Sequence, residues 1–198
     1  FMDPDTLISM HQHRDEEIVS WVPADVMRHD DGEGNKLVTD ADHMMVMGAG
    51  EGFWHEERTL ADDPPLRMLQ IFVRPHSLGL EPQIQHEPIP EPVADEWRHL
   101  FGPAGTDAPL SVRNQVDFYD CRLDAGASVD FPTADGRDTY FYVFEGTVSA
   151  AGTTVEETES GLLVGDETVT VTAEEQSILV AFSIDPDAPI TRQGTVGR

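Results

Sequence analysis

The stretch "MHQHRDEEIVSW", Met10–Trp21, carries two histidines one residue apart, an acid four residues beyond the second, and a closing apolar run. Side chains of a strand alternate between its faces, so an extended chain presents His11 and His13 side by side. The same parity continued forward puts Glu17, Val19 and Trp21 on that inner face and turns Glu16 outward. Alone, an H-x-H pair is weak evidence for a metal, because neighbouring imidazoles are common on polar sheet faces. A second stretch changes the weight. "WHEERT", Trp54–Thr59, repeats the spacing with His55 and Glu57. Three imidazoles and one carboxylate from two antiparallel strands make a ligand set for a divalent transition metal and leave one or two positions open for chemistry.

Working outward, most of the chain reads as short strands with turn punctuation. "HDDGEGNKLV" suits a hairpin turn, "HMMVMGAGEGFWHEERT" an apolar strand, a glycine-rich bend and a second strand, and "LRMLQIFVRP" a buried strand closed by Pro75. Residues 81–107 are proline-rich, with one short helix expected at "VADEWRHLF". Strands resume at "LSVRNQVDFYDCRLDAG" and run to "SILVAFSI". The spacing predicts an all-β chain of two sandwiches or barrels. The first spans 1–80, a connector 81–107, and the second with its tail 108–198.

Charge narrows the function classes. Thirty-eight acids face 12 bases, a net charge of −26, and Lys36 is the only lysine. Such a surface repels nucleic acid and anionic membranes, so neither is expected as a direct partner, and the chain is expected to be monomeric. Self-repulsion of this size is screened only at high ionic strength, which points to a halophile protein. Cys121 is the only cysteine, which excludes a disulfide framework and a cysteine zinc site. No run approaches the roughly 18 apolar residues of a membrane helix, and the first residues do not read as a signal peptide. The expected location is cytoplasmic.

The motifs resemble the pirin family of the cupin superfamily. The family pattern H-x-H-R-x-x-E appears as His11-Gln12-His13-Arg14 with Glu17, and H-x-D-x-x-G-N as His29 and Asp31 with Gly34-Asn35. M-x-A-G-x-G appears as Met47-Gly48-Ala49-Gly50 with Gly52, and H-x-E as His55-Glu56-Glu57. Where the family usually has glycine at the turn after the first motif, this chain has Asp25, and Ala41-Asp42 replaces its Pro-Gly. The resemblance implies a bicupin with one metal, commonly iron, on His11, His13, His55 and Glu57; copper, manganese, nickel, cobalt or zinc would also suit the donors. It implies further strands ahead of the first histidine motif. It also implies quercetin 2,3-dioxygenase activity, the ring opening of a flavonol-like aromatic by dioxygen with release of carbon monoxide. Glu57 or Glu17 would accept the substrate proton. The alternative is a metal-binding regulatory protein without turnover, acting through a protein partner.

In many cupins the acid four residues after the second histidine is itself a ligand, whereas pirins use H-x-E. Both are present. We assign Glu57 as ligand and Glu17 as an inward acceptor that orients an imidazole. No histidine follows His99, so the second unit is expected to be metal-free. His29 is expected to be structural or exposed. Met44, Met45 and Met47 are expected to fill core, and Trp21 and Phe53 are candidate pocket walls.

Overall fold

The computed structural model describes every residue except Asp166, Gly197 and Arg198. The chain divides into two compact units: 1–89 with 109–114 and 189–198, and 90–108 with 115–188. The first unit holds β1 (Leu7–His13), β2 (Glu17–Trp21), β3 (Met27–Asp31), β4 (Lys36–Thr39), β5 (His43–Gly48), β6 (Phe53–Arg58), β7 (Leu69–Val73) and β8 (Gln83–Pro88). The chain contributes β9 (Trp97–Pro103) to the second unit, then returns to the first with β10 (Leu110–Val112). The second unit continues with β11 (Val116–Leu123), β12 (Ser128–Asp130), β13 (Asp138–Glu145), β14 (Val148–Ala150), β15 (Thr153–Val155), β16 (Ser160–Leu163), β17 (Thr170–Ala173) and β18 (Ser177–Ile184).

The first unit is built from two four-stranded antiparallel sheets, ordered β1-β6-β3-β4 and β7-β2-β5-β8. Central strands are covered on both faces, and β2 is buried throughout. One core cluster joins Ile18, Met47, Ala49 and Phe53, and another joins Val22, Met27, Met45 and Leu66. Each large side chain removed from water in this way contributes about 1.5–3 kcal/mol. The methionines are therefore core filling, and Phe53 and Trp21 are packed inside.

The strand expected to run unbroken through Met10–Trp21 is two strands in two sheets. The chain bends at Arg14–Glu16, where Asp15 takes a left-handed conformation, φ 55°, and its N–H donates to Gly50 O. The bend resets the alternation, so parity counted from His13 does not carry into β2. Asp25 is left-handed too, φ 74°, a conformation that glycine adopts without a steric cost.

In the second unit, sheets β9-β11-β18-β13-β16 and β12-β17-β14-β15 enclose a core that includes Leu123, Phe131, Phe141, Val143 and Leu179. Cys121 lies in it, and burial, with Asp120 and Asp95 nearby, pushes its thiol up to about 12. There is no helix among the described residues, which corrects the one expected at Val93–Phe101. Residues 97–100 alternate instead: Arg98 and Leu100 are buried while Trp97 and His99 are half-buried. Pairing with β11 holds this register, and Arg98 donates twice to Asp120, at 2.9 and 2.6 Å. A 3.6-residue period would break both.

The bend between β5 and β6 depends on Gly50. Its φ is +46°, and an added Cβ would lie 2.0 Å from Leu80 O and 2.8 Å from Pro82 N, both backbone atoms that cannot swing aside. Gly50→Ala should lower the denaturation free energy by about 1–3 kcal/mol through strain and overpacking. Gly32→Ala is the control, since its φ lies outside the left-handed region and its Cβ would meet nothing closer than 3.5 Å. Equal midpoints in urea for the two variants would refute the close-approach argument.

Candidate metal centre

Three strands of one sheet bring the site together. In the register, His11 faces His55, Asp31 faces His55 and His29 faces Glu57. Spacings of two residues put His11 and His13, His29 and Asp31, and His55 and Glu57 on matching faces of β1, β3 and β6. The rings of His11, His13 and His55 lie 4.4–5.2 Å apart, and one nitrogen from each falls within 4.8 Å of the others.

The far side of each ring is already engaged. His11 Nδ1 lies 2.9 Å from the Ser9 carbonyl and His13 Nδ1 lies 3.0 Å from Glu16 Oε2. Both partners are acceptors, so both Nδ1 atoms carry the proton and both Nε2 atoms are lone pairs. Those two Nε2 atoms stand 3.1 Å apart. Two lone pairs at that distance repel unless a cation lies between them. Ligand bonds of about 2.1 Å at right angles separate neighbouring nitrogens by about 3.0 Å. His55 Nε2 is buried and has no hydrogen-bond partner. A buried orphan of this kind is costly unless something coordinates it. The donor set therefore fits a divalent transition metal.

Electrostatics keep His55 as a neutral ring. Desolvation, reinforced by neighbouring His29, His11 and His13, pushes His55 down to about 3. Its imidazole is thus neutral across the physiological range. Glu57 is set apart from the three nitrogens. Its Oε1 accepts from Gln70 Nε2 at 2.8 Å and lies 4.0 Å from His55 Nδ1. Burial raises its carboxyl, and the Gln70 bond pulls it partly back.

Several residues stand elsewhere than the sequence implied. Glu16, expected outward, is buried and orients His13. Glu17, expected behind an imidazole, is buried against Arg113, with Nε donating to Oε1 at 2.7 Å. The reset at Asp15 exchanges the two acids. His29 is buried, with Nδ1 3.2 Å from His55 Nδ1 and Nε2 3.2 Å from Asp31 Oδ2. Gln70 and Phe72 were not anticipated. They share one face of β7, one on Glu57 and the other with its ring 5.9 Å from that of His13, so a period of two in "LQIFV" was the available signal. Phe72 remains 40% exposed, which leaves it free to meet a ligand. His99 lies on β9, 2.9 Å from Asp117.

Comparison with known proteins agrees with this architecture. A Pirin profile matches residues 3–73, and a profile described as quercetinase C-terminal cupin domain matches 100–184. A Pseudomonas aeruginosa protein named "Putative quercetin 2,3-dioxygenase" is 33% identical over 178 residues, covering 88% of this chain and 75% of its own. A bacterial pirin of Escherichia coli solved with nickel(II) superposes with a TM-score of 0.81 at 24% identity, covering 93% of this chain and 79% of that one. A quercetin 2,3-dioxygenase from Acinetobacter baumannii gives 0.82 at 22%, covering 94% and 71%. At these identities the two structures speak to the fold. With two cupin-type units in series and a relative this similar over most of both lengths, the chain belongs to the pirin family.

Proposed function

We propose that this chain is a metal-dependent dioxygenase that opens an aromatic ring of flavonol type. The observation that carries the reading is the convergence of three imidazoles, one with a buried Nε2 that has no hydrogen-bond partner, near a buried carboxylate. The names of the relatives as quercetin 2,3-dioxygenases, and a related pirin solved with nickel(II), support it. His11, His13 and His55 would hold the metal, with Glu57 as fourth ligand or neighbouring base. Iron is the metal we assign, although three imidazoles and a carboxylate accept several. Bound there, the metal would supply Lewis acidity toward a substrate hydroxyl and the means of bringing substrate and dioxygen to one centre.

The chain's own residues do the rest. Glu57 accepts the hydroxyl proton as the substrate anion forms; its raised carboxyl brings it closer to the range in which a base works well. Gln70 holds Glu57 by Oε1 and leaves Oε2 for that proton. Phe72 offers a partly exposed aromatic ring beside His13. Glu17 is occupied by Arg113, so the base is Glu57. The net charge of −26 leads us to propose a salt-adapted protein, and the assay belongs in molar KCl.

Protein loaded with iron, nickel, copper or manganese should consume dioxygen with quercetin and release an equal amount of carbon monoxide. Glu57→Gln should lower kcat by roughly 10²–10⁴, the usual contribution of a positioned base. Absence of oxygen uptake with every metal would overturn the reading in favour of a metal-binding regulatory protein.

A further inference from the structure

The hydrogen bonds behind His55 form a chain that runs in one direction. Asp31 ends it. Oδ1 accepts the backbone N–H groups of Glu33 and Asn35 at 3.0 and 2.9 Å, and Oδ2 accepts Asn35 Nδ2 at 2.9 Å. Burial raises the Asp31 carboxyl, but the two Asn35 bonds and then His29 outweigh it and hold it below its ordinary range. Asp31 is thus an acceptor, and the remaining contact on Oδ2, His29 Nε2, must bring the proton. With its proton on Nε2, His29 has a bare Nδ1. That atom faces His55 Nδ1 at 3.2 Å, so His55 must donate. His55 then has no proton left for Nε2, the buried atom without a partner beside His11 and His13.

We propose that His29 and Asp31 are positioning residues, a buried relay that fixes His55 as the Nδ1–H tautomer and so makes its Nε2 a ligand. This rests on the reading of His55 as a metal ligand and deepens it. The other two imidazoles are oriented directly, by a carbonyl and by Glu16. His55 is oriented through a second imidazole, and an imidazole can face its neighbour as donor or as acceptor. Only the carboxylate beyond it decides which. That is the physical use of the H-x-D spacing on β3: both side chains point to the same face, and the cross-strand partner of Asp31 is His55 itself. The turn that follows, through Glu33 and Asn35, saturates Asp31 so that it cannot turn away.

The first measurement needs no variant. Long-range ¹H–¹⁵N correlation spectra of the metal-free protein near neutral pH should show His55 protonated on Nδ1, and a proton on Nε2 would overturn the relay. The second uses cobalt(II) in competition with a chromophoric chelator. His29→Phe removes the acceptor at nearly constant bulk. It should weaken cobalt binding by about 10- to 100-fold, the usual loss for such partners, and should let His55 sample the Nε2–H form. Asp31→Asn keeps the shape and should give a smaller loss in the same direction. Unchanged cobalt affinity in either folded variant refutes the proposal. Should both variants fail to fold, the tautomer of the unaltered protein still decides it. Failure of the unaltered protein to bind cobalt would instead remove the centre proposed above, while the spectrum of the metal-free protein still tests the relay.

Discussion

His55→Ala should abolish the thermal stabilisation that a divalent metal confers on this protein. Metal that binds only the folded chain stabilises by RT ln(1 + [L]/Kd), about 2.7 kcal/mol at a hundredfold excess over Kd. The unaltered protein should therefore melt several degrees higher with nickel(II) than with chelator. His55 is the most consequential of the three imidazoles. It is completely buried, whereas His11 is partly exposed. Its value near 3 means that protons do not compete with metal for Nε2 until the solution is strongly acidic. Its loss should exceed the roughly 10- to 100-fold cost of removing an outer hydrogen-bond partner. It would also leave His29 Nδ1 facing a cavity, so the metal-free variant should be somewhat less stable than the parent. Scanning calorimetry with and without nickel(II) separates the two effects. A nickel-induced rise of parental size in His55→Ala would place the metal elsewhere.

What made this site legible was a period of two. His11 and His13, and His55 and Glu57, share faces for the reason any i, i+2 pair in a strand does, and their strands pair directly. The all-β class was legible in the same way, from short alternating runs between glycine and proline turns. The exchange of Glu16 and Glu17 was not, because it depends on the left-handed φ of Asp15, and aspartate does not announce that conformation as glycine would. His29 was undervalued because its role lies in a partner across the sheet, and register between β3 and β6 is not written in either strand alone. The helix expected before Phe101 failed for a related reason. Local propensity in a short run yields to the ladder with β11 and to the Arg98–Asp120 pair, which only the assembled second unit supplies. Gln70 and Phe72 lay in a run read as a strand buried throughout, and that reading hid the more exposed face they share.

Arg113→Met should cost about 3–5 kcal/mol at neutral pH, the penalty for stranding a buried charge. Glu17 is completely buried, and Arg113 meets it with Nε at 2.7 Å, Nη2 at 2.6 Å and its backbone N–H at 3.3 Å. Gly48 makes room, since a Cβ there would sit 2.2 Å from Arg113 Nη2. Another arm of the guanidinium donates to Glu81 O at 2.7 Å, so one side chain ties β2 to the segment just before β8. Desolvation raises the Glu17 carboxyl above its ordinary 4.5 even though Arg113 opposes it. Removing the arginine removes the opposition and raises it further. A carboxyl whose folded value lies above its unfolded value is best tolerated when protonated. Its favourable contribution is present below about 4.5 and is lost as pH rises through the folded value. The destabilisation by Arg113→Met should therefore grow from pH 5 to pH 8 in urea titrations. Adding Glu17→Gln should recover most of the loss and flatten the pH dependence. A loss that ignores pH, or that the double variant fails to recover, would mean the arginine acts through packing alone. The same double variant separates the two acids of the first motif. If Glu17 serves only to neutralise Arg113, the variant binds metal as the parent does, because the acid that orients His13 is Glu16, one residue earlier and on the other side of the bend.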